Sequence, residues 1–285
     1  MQVLGLSSRS SRRSFMKAIS TGVIGLCTAG KGAATRTKPS VVLRKGTKQA
    51  TPIFQNSARE PGPTALIIGG VHGNERAGYL AAERLARWKP TRGETIVVPR
   101  ANTVAVANET REANGDLNRQ FPIGERPTTP LARALWGLIE RSQPDVIIDL
   151  HESSGRYIDG KLGQSIAYPP FEGVRSRVSQ LVSRQNRSID RAENRFHPRS
   201  LPRPSERPSG VLVKRAAFEQ RIPAFLIETY SELELTDRQR YHESLTKGVI
   251  QELSTRRGPH DGIPTNNGWS PYDSRRMSTL IDQLP

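Results

Sequence analysis

Short apolar runs alternate along the middle of the chain with segments in which apolar residues recur at helical spacing. Four runs are short, rich in branched residues and bounded by glycine, proline or charge, which predicts buried strands: Ala65–Ile68, Thr95–Val98, Val146–Leu150 and Ala224–Ile227. Five further segments predict helices: Arg76–Trp88, Leu131–Arg141, Val174–Arg187, Val211–Gln220 and Arg238–Leu253. This alternation predicts an α/β fold, a single domain with a mostly parallel mixed sheet flanked by helices.

The pattern changes on both sides of this central region. Residues 35–60 are polar and predict a linker with a first strand, whereas residues 61–253 predict the folded domain that carries the chemistry. Residues 254–285 are again polar and predict a disordered tail. Inside the domain, proline and arginine replace the periodic pattern over residues 197–208, which predicts a loop.

The N-terminus carries the features of an export signal. Residues 11–17 read Ser-Arg-Arg-Ser-Phe-Met-Lys and precede a short apolar run over residues 18–29. That run is too short to remain as a membrane span, and the paired arginines resemble the twin-arginine signal. Residues 1–34 therefore predict a signal peptide and export to the periplasm, cell envelope or extracellular space. A lipid anchor on Cys27 and an unstructured Ser/Arg-rich tail are the alternatives.

The charge balance limits the kinds of partner. The formal net charge is +16, and residues 175–221 alone hold twelve Lys or Arg against four acidic residues. This segment favours contact with an anionic envelope surface, and a polyanion-binding module is one alternative for the whole protein. Because no aromatic residues alternate with the basic ones, the sequence predicts no specific nucleic-acid binding. It does not indicate an oligomeric state.

Three residues able to bind a metal or carry a proton lie where predicted strands end. His72 comes just after the first of these strands, His151 directly after the third and Glu228 directly after the fourth. In parallel sheets, ligands bind outside the carboxyl ends of the strands. We therefore expect the three side chains to meet at one edge of the sheet.

The spacing of His72 and Glu75 predicts a metal site. They are three residues apart where a strand passes into a helix, so an imidazole and a carboxylate can converge on one ion, while Gly73 relieves crowding in the turn. His151 would complete three protein ligands and leave a fourth position for water, as catalytic zinc requires. The one cysteine, Cys27, lies in the predicted signal peptide. We therefore predict one zinc per chain on nitrogen and oxygen donors.

Glu228 is the candidate general acid/base. A partly desolvated carboxylate beside zinc can take a proton from water and return it to the leaving group. Glu232 and Glu234 follow closely in the sequence and are rival candidates. The strand-end position favours Glu228 over both.

The segment 111–122 offers groups that could bind a substrate. Arg119 can hold a carboxylate through two parallel hydrogen bonds, and Asn118 can add a third donor. Arg111 could stabilise the oxyanion that develops on an amide carbonyl, and Asp116 would support the loop or a metal-ligand imidazole. An ordinary Asn-Gly turn with solvated charges explains the same composition.

Several motifs occur together in residues 66–122 and 144–152. They are Gly69-Gly-Val-His-Gly-Asn-Glu-Arg-Ala-Gly, Asn102 with Ala105, Arg111 through Pro122, and Asp149-Leu-His151. Together they resemble the succinylglutamate desuccinylase/aspartoacylase branch of the zinc carboxypeptidase-like superfamily. The resemblance implies a zinc carboxypeptidase-like fold whose zinc ligands are His72, Glu75 and His151.

The same resemblance implies the roles of the remaining residues. Glu228 would be the acid/base, Arg111 would polarise the carbonyl, and Asn118 with Arg119 would bind the substrate carboxylate. We therefore predict a zinc-dependent amide hydrolase that removes the acyl group from N-acyl amino acids or similar small amides by metal-activated water. The alternative enzyme is an exported zinc carboxypeptidase that acts on peptides, including those of the cell envelope.

Overall fold

The computed structural model describes residues 38–254. The predicted signal peptide, with Cys27, lies outside this range, as does the predicted tail over residues 254–285 except for its first residue, Ser254, which ends a helix. Within it, no helix combines the length and the apolar composition needed to cross a membrane. The helices are α1 (Arg76–Leu85), α2 (Thr103–Ala107), α3 (Pro130–Ser142), α4 (Val174–Asn186), α5 (Leu212–Glu219) and α6 (Leu235–Ser254). The strands are β1 (Val41–Leu43), β2 (Thr51–Ser57), β3 (Glu60–Gly69), β4 (Arg92–Val98), β5 (Val146–Ser153), β6 (Ser165–Tyr168), β7 (His197–Ser200) and β8 (Ala224–Tyr230).

The strands form one eight-stranded sheet in the order β1-β2-β4-β3-β5-β8-β6-β7. Its centre is parallel, because β3 pairs in parallel with both β4 and β5, and β5 pairs in parallel with β8. Antiparallel pairs join β1 to β2, β2 to β4, and β6 to β8, so the sheet is mixed. The predicted fold class is confirmed.

Both faces of the sheet are covered by helices, and each face has its own apolar core. The first core joins α3 and α5 to the sheet through residues such as Trp136, Leu212 and Ile147. The second joins α1, α4 and α6 to the sheet through residues such as Leu85 and Ile148. Because successive side chains of a strand point to opposite faces, the apolar run of β5 serves both cores.

The strands that sequence patterns miss lie at the sides of the sheet. The predicted loop over residues 197–208 is wrong at its start, because His197–Ser200 forms β7 and pairs in parallel with β6. Pro198 and Arg199 hide this strand in the sequence, yet an edge strand tolerates a residue without a backbone donor. Residues 35–60 likewise contain two strands, β1 and β2, where one is predicted.

Candidate metal centre

His72 and Glu75 lie in the tight connection between β3 and α1. Glu75 is the residue that immediately precedes the helix. A Cβ on Gly73 would lie 2.0 Å from the backbone carbonyl of Ala105, so only glycine fits where this connection passes α2. The close approach of the two backbones therefore fixes the positions of the residues on either side of Gly73.

His151 and Glu228 lie inside strands β5 and β8, not after them as the sequence predicts. The strands run on because hydrogen bonding between β5 and β8 extends beyond the apolar residues to Ser153 and Tyr230. His151 and Glu228 are direct neighbours in this parallel register, so both side chains emerge on the same face of the sheet. That face is the one covered by α3 and α5.

The structure brings the three predicted ligands together. Nδ1 of His72 lies 2.6 Å from Oε1 of Glu75, Nδ1 of His151 lies 2.8 Å from Oε2 of Glu75, and the two Nδ1 atoms are 3.2 Å apart. All three residues are buried, and their ligand atoms lie within 4.8 Å of one another. Two ligands of a tetrahedral zinc with bonds of about 2.0 Å would be about 3.3 Å apart. The donor set fits zinc.

The outer nitrogens of both imidazoles face carboxylates. Nε2 of His72 lies 3.0 Å from Oδ1 of Asp116, and Nε2 of His151 lies 3.0 Å from Oδ2 of Asp149. A carboxylate behind a metal-binding histidine helps to orient the ring and favours the tautomer whose inner nitrogen can bind the metal. The contact of His151 with Asp149 is an ion-pair distance without hydrogen-bond geometry. Both Nδ1 atoms are thus directed to the same point, with Asp116 in the supporting position that the sequence predicts.

The charges of this cluster depend on one another. Burial alone would raise the pKa of Glu75, but His151 and His72 beside it lower that pKa to about 2. Burial alone would lower the pKa of His151, but the carboxylates of Asp149 and Glu75 raise it well above its usual value. The pKa of Asp116 is held well below its usual range by His72 and Arg111, against the effect of burial. The carboxylates here are charged and attract positive charge.

Glu228 differs from these carboxylates because burial dominates its charge state. It is 5% exposed, and its Oε2 has no hydrogen-bond partner among the described residues. Burial raises its pKa to about 8, with the charges of Glu75 and Asp149 acting in the same direction. The rival candidates Glu232 and Glu234 are both exposed, on the segment that connects β8 to α6. The geometry favours Glu228 as the proton carrier.

The predicted substrate-binding residues lie on the connection between α2 and α3. The half-exposed guanidinium of Arg111 contacts Oε1 of Glu75 at 3.3 Å and Oδ2 of Asp116 at 3.2 Å. Asn118 uses its side-chain oxygen to accept the N–H of Leu212 at the start of α5, so its NH₂ group is the donor it could offer to a substrate. Arg119 is exposed and donates to the carbonyl of Asn118.

Residues 61–157, which include His72, Glu75 and His151, match the model of the succinylglutamate desuccinylase/aspartoacylase catalytic domain. The predicted resemblance is confirmed. The match covers the connection after β3, the segment of Arg111 and all of β5, but it ends before β8 and Glu228.

A curated relative of this chain is the N-alpha-acetyl-L-2,4-diaminobutyric acid deacetylase of Halomonas elongata. It is 36% identical over 113 residues, which are 35% of this chain and 31% of the relative. The similarity to this deacetylase therefore covers about a third of each chain.

Solved structures of the same fold extend the comparison beyond β5. The product-bound form of Csd4, a D,L-carboxypeptidase and cell shape determinant of Helicobacter pylori, matches with a TM-score of 0.65, 19% identity, and coverage of 82% of this chain and 60% of that chain. The succinylglutamate desuccinylase/aspartoacylase of Rhodobacter sphaeroides matches with a TM-score of 0.51, 19% identity, and coverage of 73% and 60%. At such identities, the structures support the shared fold.

Several residues that surround the candidate metal centre have no role predicted from the sequence. Asp149 could have been found, since it precedes His151 by two residues and so shares its face of β5. Glu152 and Arg238 form an ion pair beside Glu75 but are far apart in sequence.

Proposed function

We propose that this protein is a zinc-dependent amide hydrolase that removes acyl groups from N-acyl amino acids or similar small amides. The observation that carries this proposal is the orientation of two buried imidazoles, whose Nδ1 atoms converge with the carboxylate of Glu75 while their Nε2 atoms face carboxylates. The family match over residues 61–157 supports deacylase chemistry. Export through the twin-arginine pathway remains part of the proposal.

His72, Glu75 and His151 would hold one zinc per chain. The chemistry supplied by bound zinc is the polarisation of a water molecule and of the amide carbonyl. Glu228 would accept the proton of that water and deliver it to the amide nitrogen as the carbon–nitrogen bond breaks. Glu228 must be ionised to accept this proton, and the positive charge of a bound zinc would favour the ionised form. Burial raises its pKa, which would help it to hold the accepted proton until the proton is delivered.

Arg111 and Arg119 would have different roles in binding the substrate. Arg111 lies against Glu75 and Asp116, so its guanidinium is placed to donate to the carbonyl oxygen as negative charge develops there. Arg119, with the NH₂ group of Asn118, would bind the carboxylate of the amino-acid part. This arrangement assigns the substrate a free carboxylate next to the amide that is cleaved.

A carboxypeptidase acting on peptides is the second candidate. The exposed guanidinium of Arg119 could hold the terminal carboxylate of a peptide as well as that of a single amino acid. The fold similarity to Csd4, which covers 82% of this chain, also favours it. Both candidate functions use the metal and Glu228. They differ in the group on the carbonyl side of the cleaved amide, which is a small acyl group for the deacylase and a peptide for the carboxypeptidase.

The test combines metal analysis with a substrate panel. We expect about one zinc per purified chain, and hydrolysis of N-acetyl or N-succinyl amino acids in preference to short peptides. Glu228→Gln should keep the zinc and lower kcat/KM by about 10²- to 10⁴-fold, the usual contribution of a general acid/base. Glu232→Gln is the matched control because this exposed carboxylate lies four residues away, and its kcat/KM should remain within about two-fold.

The outcomes separate the candidates. Release of C-terminal residues from peptides, with no reaction of acylated amino acids, would favour the carboxypeptidase. Zinc binding that survives the combined replacement of His72 and His151 by alanine would refute the metal centre. An unchanged kcat/KM in Glu228→Gln would exclude this residue as the proton carrier.

A further inference from the structure

Helix α1 begins without a cap from its own sequence. The residue that precedes a helix usually accepts one of the first free N–H groups with its side chain. In α1 this residue is Glu75, yet its side chain makes no capping hydrogen bond, and the first turn contains no acidic residue. The carboxylate of Glu75 is directed instead to the imidazoles of His72 and His151.

A residue from another element supplies the missing cap. The N–H of Ala77, the second residue of α1, donates to Oε2 of Glu152 over 3.0 Å. Glu152 follows His151 on β5, so its side chain points to the opposite face of the sheet, where α1 and α6 pack. A carboxylate at a helix N-terminus is also favoured by the helix dipole.

Glu152 contacts both the candidate metal centre and α6. Its own N–H donates to Oε2 of Glu75 over 3.1 Å, and its Oε1 pairs with the guanidinium of Arg238. The side chain of Glu152 is 3% exposed and that of Arg238 is 14% exposed. The pair is therefore a buried contact that connects α1, β5 and α6.

We propose that Glu152, held by Arg238, acts as the N-terminal cap of α1 and thereby leaves the carboxylate of Glu75 free to bind the metal. Glu152 is a positioning residue, since it acts through Glu75 and the start of α1. This inference rests on the proposed function, because it gives Glu75 the role of a zinc ligand. It also explains why a glutamate stands at position 152.

The test measures zinc affinity of the full chain by competition with a chromogenic chelator. Glu152→Ala removes the cap and should weaken zinc binding about 10- to 100-fold, as replacements behind metal ligands do. Glu152→Gln keeps an oxygen that can accept the N–H of Ala77, so its affinity should stay within about five-fold of the wild type. Arg238→Met should give an intermediate loss, and Arg238→Lys should restore part of it.

The matched control is an ion pair that joins α1 directly to α6. Arg84 of α1 pairs with Glu243 of α6 over 3.1 Å, but Arg84 lies in the last turn of α1, away from the metal ligands. Arg84→Ala should leave the zinc affinity within about two-fold. In the metal-free protein, hydrogen exchange at the Ala77 amide should accelerate in Glu152→Ala and remain unchanged in Arg84→Ala.

The possible results distinguish this inference from the proposed function. Wild-type zinc affinity in a folded Glu152→Ala protein would overturn the positioning role alone. If Glu152→Ala does not fold, a large loss of affinity in Glu152→Gln would overturn it, because the cap is still present. Absence of zinc binding by the wild type would refute the metal centre, and the positioning role toward it would be refuted as well.

Discussion

At the scale of single residues, two glutamates of the same centre are placed in opposite electrostatic environments. Glu75 contacts two imidazoles, the guanidinium of Arg111 and the N–H of Glu152, and its pKa falls to about 2. Glu228 is buried, its Oε2 has no hydrogen-bond partner among the described residues, and its pKa rises to about 8. Divergent pKa values of neighbouring carboxylates commonly accompany different chemical roles, which agrees with the roles proposed for Glu75 as a metal ligand and Glu228 as a proton carrier.

The raised pKa of Glu228 predicts a pH dependence of stability. Its folded-state pKa lies above the ordinary value of 4.5, so its favourable contribution to folding is complete below pH 4.5 and is lost as the pH rises to about 8. In the metal-free protein, the free energy of unfolding should therefore fall more steeply between pH 5 and 8 for the wild type than for Glu228→Gln. The difference should be on the order of a few kcal/mol, because one pKa unit corresponds to about 1.4 kcal/mol.

Urea unfolding at several pH values, in the presence of a chelator, measures this difference. The buried neighbours His151 and Glu75 also titrate abnormally, but they are present in both proteins. Parallel pH profiles for the wild type and Glu228→Gln would contradict the prediction. Such a result would show that Glu228 is charged in the folded protein at neutral pH.

At the scale of secondary-structure elements, close backbone contacts position the ligands. Gly73 lets the connection after β3 pass directly against Ala105 of α2, and Gly78 lets α1 approach the carbonyl of Leu150 on β5. These contacts bring the chain before α1 and the end of β5 near each other. His72, Glu75 and His151 can then reach one ion although they come from different elements.

Replacing Gly73 by alanine should disturb both folding and the centre. The new Cβ would lie 2.0 Å from the backbone of Ala105, and a backbone cannot rotate away as a side chain can. We expect a loss of about 3 kcal/mol or more in the free energy of unfolding, with weaker zinc binding. Gly137→Ala in α3 is the control, because its Cβ would meet only the flexible end of Arg141 and alanine favours the helix. Equal stability of the two variants would contradict this account.

The burial and length of each strand explain whether its sequence predicts it. The strands at the centre of the sheet are continuous apolar runs, because both of their faces are buried. The edge strand β7 reads His-Pro-Arg-Ser and carries no such pattern. Strand β6 is apolar but only four residues long, which is too short to separate from a loop.

At the scale of the whole molecule, the candidate metal ligands could be predicted from the sequence, but the contact between Glu152 and Arg238 behind them could not. His72 and Glu75 have metal-ligand spacing where a predicted strand passes into a helix, and His151 lies at the end of another predicted strand. The contact between Glu152 and Arg238 spans 86 residues of sequence and depends on how α1 and α6 pack on the sheet. Spacing along the chain therefore does not indicate it, and only the three-dimensional arrangement shows why α1 needs no cap of its own.

The centre also predicts how the metal affects the stability of the whole protein. An ion that binds only the folded state stabilises it by about 2.7 kcal/mol when its free concentration is 100 times its Kd. For a domain of this size, thermal unfolding should then shift upward by about 5 to 10 °C on addition of zinc, and a chelator should reverse the shift.

Magnesium should stabilise far less, because it prefers oxygen ligands and two of the three donors here are imidazole nitrogens. A double variant with alanine at His72 and His151 should show no zinc-dependent shift, whereas Arg84→Ala should retain it. Equal stabilisation by zinc and magnesium would indicate that the ion binds to surface carboxylates instead of the buried cluster.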